Sequence, residues 1–370
     1  MNLHRKYNLK KVINARGTFT PLGVSRTPEP IIEATAEALR HFFDIAELQD
    51  AAGRTVADIA GCEWGTVTNC VAASITLSVA ATMTGTDMVK VRQLPDTTSL
   101  NNRVIIPAGH LVDYGHPIEQ DIRLAGGKVV AVGSALQCTA KDIDAGLSIA
   151  GATALLLVES RLCWGDNLAT IEAVEIAHRQ GIPVILDGAA QDLRLPELVE
   201  TGADLILLSA QKYLSAPTAG IVLGRRDLVD AVLAQVEGIG RGMKAGKEAI
   251  VGALAALEYR QTLDLEIWEQ DRKQEAQDFA DSLNRIPSVS AELVRDPTNG
   301  PFWRVHTRID EATSPKSARQ VAKDLAKGDP AIYVFEQEAD HGILNFELLP
   351  LSARERARIV ARVADIIGRA

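Results

Sequence analysis

The chain has no excess of positive charge: its 370 residues hold 39 Lys and Arg against 48 Asp and Glu, a formal net charge of −9. A surface that reads nucleic-acid phosphates needs a basic balance, so no nucleic-acid partner is expected, although a few local cations can still hold a small anion. Cysteine is scarce. The four present, Cys62, Cys70, Cys138 and Cys163, form no CxxC pair and no zinc-ligand spacing. That excludes a disulfide framework, leaves no metal site to expect and points to a reducing compartment. No apolar stretch follows the charged start MNLHRKYNLKK, so no signal peptide is expected. The most apolar helical run, 71–83, is too short and too rich in Ser and Thr to cross a bilayer. Repeats and low-complexity stretches are also lacking. These absences leave a cytoplasmic globular protein with no membrane partner.

What is present is a regular alternation. Apolar runs at 66–69, 103–107, 128–132, 153–160, 182–187, 204–210 and 219–224 are separated by stretches of helical spacing. Runs without polar alternation suit strands buried on both faces, and helices between them predict a mostly parallel α/β sheet. Gly126-Gly127, Gly181 and Gly202 sit where helices should stop. After residue 235 a basic glycine loop, GIGRGMKAGKE (238–248), leads into helical sequence to about 285, and short strand-like pieces follow, interleaved with helices over 315–327 and 352–368. The division expected is an arm over 1–20, a large domain over 21–245, and a linker helix with a smaller α+β C-terminal domain over 246–370.

Two residues lead the chemistry. Asp187 ends the run IPVILD and Lys212 lies just past DLILLSA, so in a parallel sheet both fall at the carboxyl edge, where such sheets bind ligands. Lysine there can bond a cofactor carbonyl, a neighbouring carboxylate can hold a pyridine nitrogen protonated, and Ser209 can donate to a phosphate. Singly, each has an ordinary reading as a turn cap or a solvated loop residue; in this order the functional reading is stronger. Asn69, Cys70, Val71 and Ala72 form a tight strand-to-helix turn of small residues suited to a phosphate, or simply to close packing. Arg241, Lys244 and Lys247 make the glycine loop an anion-binding candidate. It is no Walker loop, because Arg241 replaces its first glycine and Glu248 its Ser/Thr. His110, in GHLVDYGHP, follows a strand and can stack on a cofactor or move protons. Glu159 and Arg161, past another strand, are pocket candidates.

SAQKYLSAPTAGIVLGRRDLV (209–229) resembles the lysine segment of the selenocysteine synthase-like branch of fold-type I pyridoxal-phosphate (PLP) enzymes, and VINARGTF (12–19) resembles that branch's N-terminal segment. Within the branch the chain is most similar to the D-glucosaminate-6-phosphate ammonia-lyase type, on KYNLKKVINARG, LGVSRTP, IIPAGHLVDYGHP, GADLILLSAQK and IGRGMKAGKEAIVG. Departures fall at Cys70-Val71, at Ser215-Ala216 and in VESRLCWGDN (158–167).

The resemblance implies an aspartate aminotransferase-like fold, pyridoxal 5′-phosphate as cofactor, and a homodimer or higher homo-oligomer with shared sites. It implies Lys212 as the Schiff-base lysine, Asp187 as partner of the ring nitrogen, and His110 near the ring. The activity expected is an ammonia-lyase (dehydratase) turning a 2-amino-3-hydroxy acid into a 2-keto acid and ammonia, with a phosphorylated sugar amino acid such as D-glucosaminate-6-phosphate as one candidate. A racemase or epimerase and an aminotransferase share the first step and stay open. A PLP-binding regulatory protein is the non-enzymatic alternative, though no helix–turn–helix extension is visible.

Overall fold

The computed structural model describes residues 2–368 and divides into two compact units, Thr27–Thr262 and a smaller one that joins Met1–Arg26 to Leu263–Ala370.

In the larger unit seven strands form one sheet. Its order is Trp64–Thr68, Gly220–Gly224, Leu205–Ser209, Val184–Asp187, Ala152–Val158, Arg103–Pro107, Lys128–Val132. Alternate residues of the central strands feed two separate cores. Leu155, Leu157, Leu186, Ile206 and Leu208 pack on one face, and Ala154, Leu156, Ile185, Leu205 and Leu207 on the other. This double burial is why the runs carry no polar alternation.

Neighbouring strands pair parallel except Gly220–Gly224, which is antiparallel to both neighbours. The connection before it explains the reversal. A parallel return needs a crossover of a dozen residues or more, but the chain folds straight back on itself, with Ala210 N donating to Ala219 O at 2.9 Å. That short loop carries Lys212 and leaves it at the carboxyl edge.

Most predicted helices form within a few residues of the expected bounds, at Val71–Thr84, Ala140–Leu147 and Thr170–Arg179. Gly181, after the last of these, has φ 69°, a left-handed stop that a side chain would strain. Helix Val71–Thr84 is buried nearly all round, and its hydroxyls turn inward: Ser74 Oγ donates to Cys70 O at 3.1 Å and Thr76 Oγ1 to Asp121 O at 3.0 Å.

In the smaller unit Trp303–Ile309 is the centre of a three-stranded antiparallel sheet, flanked by Val289–Arg295 and Ile343–Glu347. The apolar piece after Pro330 does not join it. Ala331–Val334 pairs parallel with Val12–Ala15 instead, so the N-terminal residues are part of this unit's core, with Ile13 and Ala15 buried beside Phe346 and Phe279. The unit boundaries, after Arg26 and Thr262, therefore differ from the expected 20 and 245. Helix Lys247–Gln261 stays with the larger unit because its face of Ala249, Ile250, Ala253, Ala256 and Leu257 enters the sheet's core.

Candidate functional site

Three strand ends are laced together past their formal limits. Glu159 N donates to Asp187 O at 2.9 Å, Gly188 N to Leu207 O at 3.0 Å and Ser209 N to Ala189 O at 3.1 Å. This lacing sets Asp187 and Lys212 side by side at one edge. Asp187 is 5% exposed and its Oδ1 accepts the Ala189 N–H at 3.0 Å. Burial raises its pKa, opposed by the Lys212 charge and the Ala189 N–H. Lys212, whose N–H is tied to Ser209 O at 3.1 Å, shows the reverse. Burial lowers its amine below the ordinary range, Asp187 and Asp192 push it up, and Arg161 pushes it down. Each member of the pair thus opposes, without cancelling, the loss of charge that burial imposes on the other, and a lysine whose proton affinity burial lowers is one that can serve as a base.

The Asn69–Ala72 turn also lies at this edge. Cys70 is the N-cap of Val71–Thr84 and its side chain makes no capping bond, so the first-turn N–H groups keep their donors. Gly220, paired with both Thr68 and Ser209, lets the turn come this close, since a Cβ there would collide with the Thr68 and Ser74 hydroxyls. Ser209 is buried at the end of its strand, across from Gly220.

His110 is held more tightly than its sequence suggests. Its ring Nδ1 accepts the Val158 N–H at 3.0 Å, which leaves Nε2 to carry the proton. It is 7% exposed, and burial lowers its pKa to about 4. Glu159 Oε1 accepts from Thr170 Oγ1 at 2.6 Å, whereas Arg161 is exposed.

The basic loop runs beside the Asn69–Ala72 turn. Met243 O accepts the Asn69 N–H at 3.0 Å, and Lys244 bridges to Thr68. Arg241 and Lys244 are exposed. Lys247 is not aimed at this edge, because its Nζ donates to the carbonyls of Leu39 and His41 and lies 5.6 Å from the Phe42 ring.

The sequence reading missed two groups. Asp192, five residues after Asp187, ion-pairs with Arg260 at 3.2 Å. Tyr114 donates to Asp121, which His116 Nε2 approaches at 3.5 Å; burial pushes Asp121 up to about 6 and raises Tyr114 well above its ordinary value. The Asp187 charge raises both Tyr114 and Asp121, so this trio borders the site. GHLVDYGHP hinted at Tyr114 and His116; nothing local in the sequence joins Asp192 to Arg260.

An amine, a buried carboxylate one strand away, open N–H groups at a helix start and a flat neutral imidazole fit pyridoxal 5′-phosphate. Comparisons with known proteins agree. Residues 12–276 match the family model of SelA, L-seryl-tRNA selenium transferase. A D-glucosaminate-6-phosphate ammonia lyase of Salmonella typhimurium is 35% identical over 368 residues, 99% of this chain and 98% of that protein. A 5′-C-glycyluridine monooxygenase-decarboxylase of Streptomyces is 32% identical, covering 96% of this chain and 90% of that protein. The solved structure of a D-glucosaminate-6-phosphate ammonia-lyase superposes with a TM-score of 0.89 at 34% identity, covering 100% of this chain and 99% of that one. An aspartate aminotransferase of Thermotoga maritima, 16% identical with a TM-score of 0.56 over 99% of this chain and 94% of its own, shares the fold of the fold-type I PLP enzymes.

Proposed function

The chain belongs to the L-seryl-tRNA selenium transferase (SelA) family, and on that footing we propose that it is a PLP-dependent ammonia-lyase for a 2-amino-3-hydroxy acid, with D-glucosaminate-6-phosphate the first substrate to test. The observation that carries this reading is the pairing of Asp187 and Lys212 on adjacent strand ends.

When bound, pyridoxal 5′-phosphate supplies a carbonyl that takes up the substrate's amino group and a protonated ring that draws electrons from its Cα. Lys212 would anchor the carbonyl, Asp187 would hold the proton on the ring nitrogen, and Asn69 through Ala72 with Ser209 would take the phosphate. His110 would lie against the ring with Nε2–H as its one donor. Released from the carbonyl by the substrate amine, Lys212 would be a free amine. Burial lowers its proton affinity, and as a free amine it would accept the Cα proton. Burial holds His110 neutral at pH 7, and Lys212 would also return a proton to the departing 3-hydroxyl. Loss of water and hydrolysis would then give a 2-keto acid and ammonia.

Glu159 and Arg161 would border the substrate. In a cytoplasmic homodimer or higher homo-oligomer, Arg241 and Lys244 would reach a substrate phosphate from a neighbouring subunit. The fully exposed Phe42, with Leu39, Phe43 and Ile45 exposed around it, supports association. Lys247 is left out of the phosphate set because it already caps two carbonyls.

Incubating the loaded protein with D-glucosaminate-6-phosphate in deuterated water, with no keto-acid acceptor, is expected to release ammonia and 2-keto acid in equal amounts. Deuterium at an inverted Cα with no keto acid would overturn the lyase in favour of an epimerase. A strict need for an added keto acid would instead make it an aminotransferase.

A further inference from the structure

Asp192 is a second buried carboxylate, tied through Arg260 to the loop that carries Lys212. It opens the turn Asp192–Arg194 after the Asp187 strand, and its side chain is 1% exposed. Neither of its oxygens accepts a well-aligned hydrogen bond; Arg260 Nη1 stands at 3.2 Å, and the Lys212 charge acts on it from the other side. A buried carboxylate with no well-aligned donor is costly, and burial raises its pKa against the opposing Arg260 and Lys212 charges. Elsewhere in this sheet the chain avoids that cost, for the buried Asp204 is supplied by Val184 N at 2.7 Å, Arg225 Nη1 at 2.7 Å and His178 Nε2 at 2.9 Å.

Arg260 gives the arrangement a second purpose. From helix Lys247–Gln261 its Nη2 donates to Tyr213 O at 2.6 Å, on the residue next to Lys212. One guanidinium therefore joins the turn that holds Asp192 to the loop that holds Lys212, fixing their separation. Asp187 is committed to the ring nitrogen in the proposed function, which leaves Asp192 as the acid free to answer Lys212's charge.

We propose that Asp192, held by Arg260, is a positioning residue that sets the proton affinity of the Lys212 amine whenever that amine is not bonded to the cofactor. Asp187, Asp192 and Arg161 are the charged groups acting on Lys212, and Arg260 and Lys212 those acting on Asp192. Asp187 and Asp192 raise the affinity, while burial and Arg161 lower it. Asp192 thus favours the ammonium that Lys212 becomes after taking a proton and keeps desolvation from making it too weak a base. This inference rests on the reading of Lys212 as the cofactor lysine and base.

The test follows Lys212 itself. In the cofactor-free full-length protein, the rate of Lys212 acetylation by acetic anhydride is measured by peptide mass spectrometry across a pH series. Asp192→Asn is expected to lower the midpoint by on the order of one pH unit, and Asp192→Glu, which keeps the charge, to hold the wild-type midpoint. Asp192→Ser, which also removes the charge, is expected to move the midpoint the same way and serves if Asp192→Asn fails to fold. Unchanged or raised midpoints in Asp192→Asn or Asp192→Ser would overturn the proposal, since a merely structural role would lower thermal stability and leave the midpoint alone. The readout needs neither cofactor nor substrate. A failed lyase assay therefore leaves it standing, and an unmoved midpoint leaves the lyase reading standing.

Discussion

Strand Leu205–Ser209 begins next to one buried aspartate and ends near two others, and its two ends treat them differently. At the amino end Asp204 accepts from a backbone N–H, a guanidinium and an imidazole, and Arg225 N donates to its carbonyl at 2.8 Å. An open recess of about 290 Å³ there, lined by His178, Gly181, Ile182, Pro183, Asp204 and Arg225, lies at the opposite edge from Lys212. At the carboxyl end Asp187 accepts one backbone N–H, and Asp192 accepts no well-aligned bond. A carboxylate that serves the fold is saturated by the fold, whereas one that serves a ligand keeps acceptor capacity in reserve and destabilises the empty protein.

Substitutions at the two ends should therefore have opposite signatures. Lys212→Ala is expected to cut kcat by at least about 10³-fold and to abolish the visible absorbance of added PLP bound as an imine, with no loss of thermal stability. Asp187→Ala should cost about 10²- to 10³-fold in kcat through lost electrostatic support. Asp204→Ala strips the donors at the other end of their acceptor and should cost about 3 kcal/mol of unfolding free energy, read from urea melts, while kcat per folded molecule stays near wild type. A stable Asp204→Ala, or an active Lys212→Ala, would break the contrast.

The sequence shows the sheet and the pair at its edge for one physical reason: both are encoded locally. A doubly buried strand needs an unbroken apolar run, and Asp187 and Lys212 fall just where two such runs stop. The tight turn at Asn69–Ala72 is legible in the same way, as small residues at a strand-to-helix junction. What the sequence hides depends on contacts between distant segments. Arg260 reads as one more charged residue in LEYRQT until helix Lys247–Gln261 brings it to Tyr213 and Asp192. Val12–Ala15 reads as part of an arm until Ala331–Val334 supplies its partner. Lys247 reads as a phosphate cation until the carbonyls of Leu39 and His41 occupy it.

His110 is a case between the two ends, beside the proposed cofactor site yet satisfied by the fold. Its pKa falls from 6.5 to about 4 on burial, so the unfolded chain binds the proton more tightly. Its contribution to stability is complete above about pH 6.5 and is lost as pH falls toward 4. At about 1.4 kcal/mol per pH unit the full loss is about 3 kcal/mol. Asp121, raised to about 6, slopes the other way, its contribution being lost as pH rises through that value. The difference between wild-type and His110→Gln stability–pH curves therefore isolates the histidine. A constant difference from pH 7 to pH 4 would show that His110 is not held neutral by burial.

The smallest expected effects lie within the basic loop, where the same contrast is repeated by two cations six residues apart. Lys247 is satisfied by carbonyls of its own chain, as Asp204 is by its donors. Arg241 is exposed on a loop whose Met243 carbonyl accepts the Asn69 N–H of the turn proposed to take the cofactor phosphate. Lys247→Ala should therefore cost about 1 kcal/mol of stability and leave KM unchanged for phosphorylated and unphosphorylated substrates alike. Arg241→Ala should leave stability unchanged and raise KM about tenfold for the phosphorylated substrate alone, the weight of one charge-assisted contact. Steady-state kinetics on both substrates separates the two outcomes. A phosphate-selective KM defect in Lys247→Ala would show that this lysine leaves its carbonyls for the substrate. The rule drawn from the two ends of the strand would then fail for cations, because a side chain satisfied by the fold would also be serving the ligand.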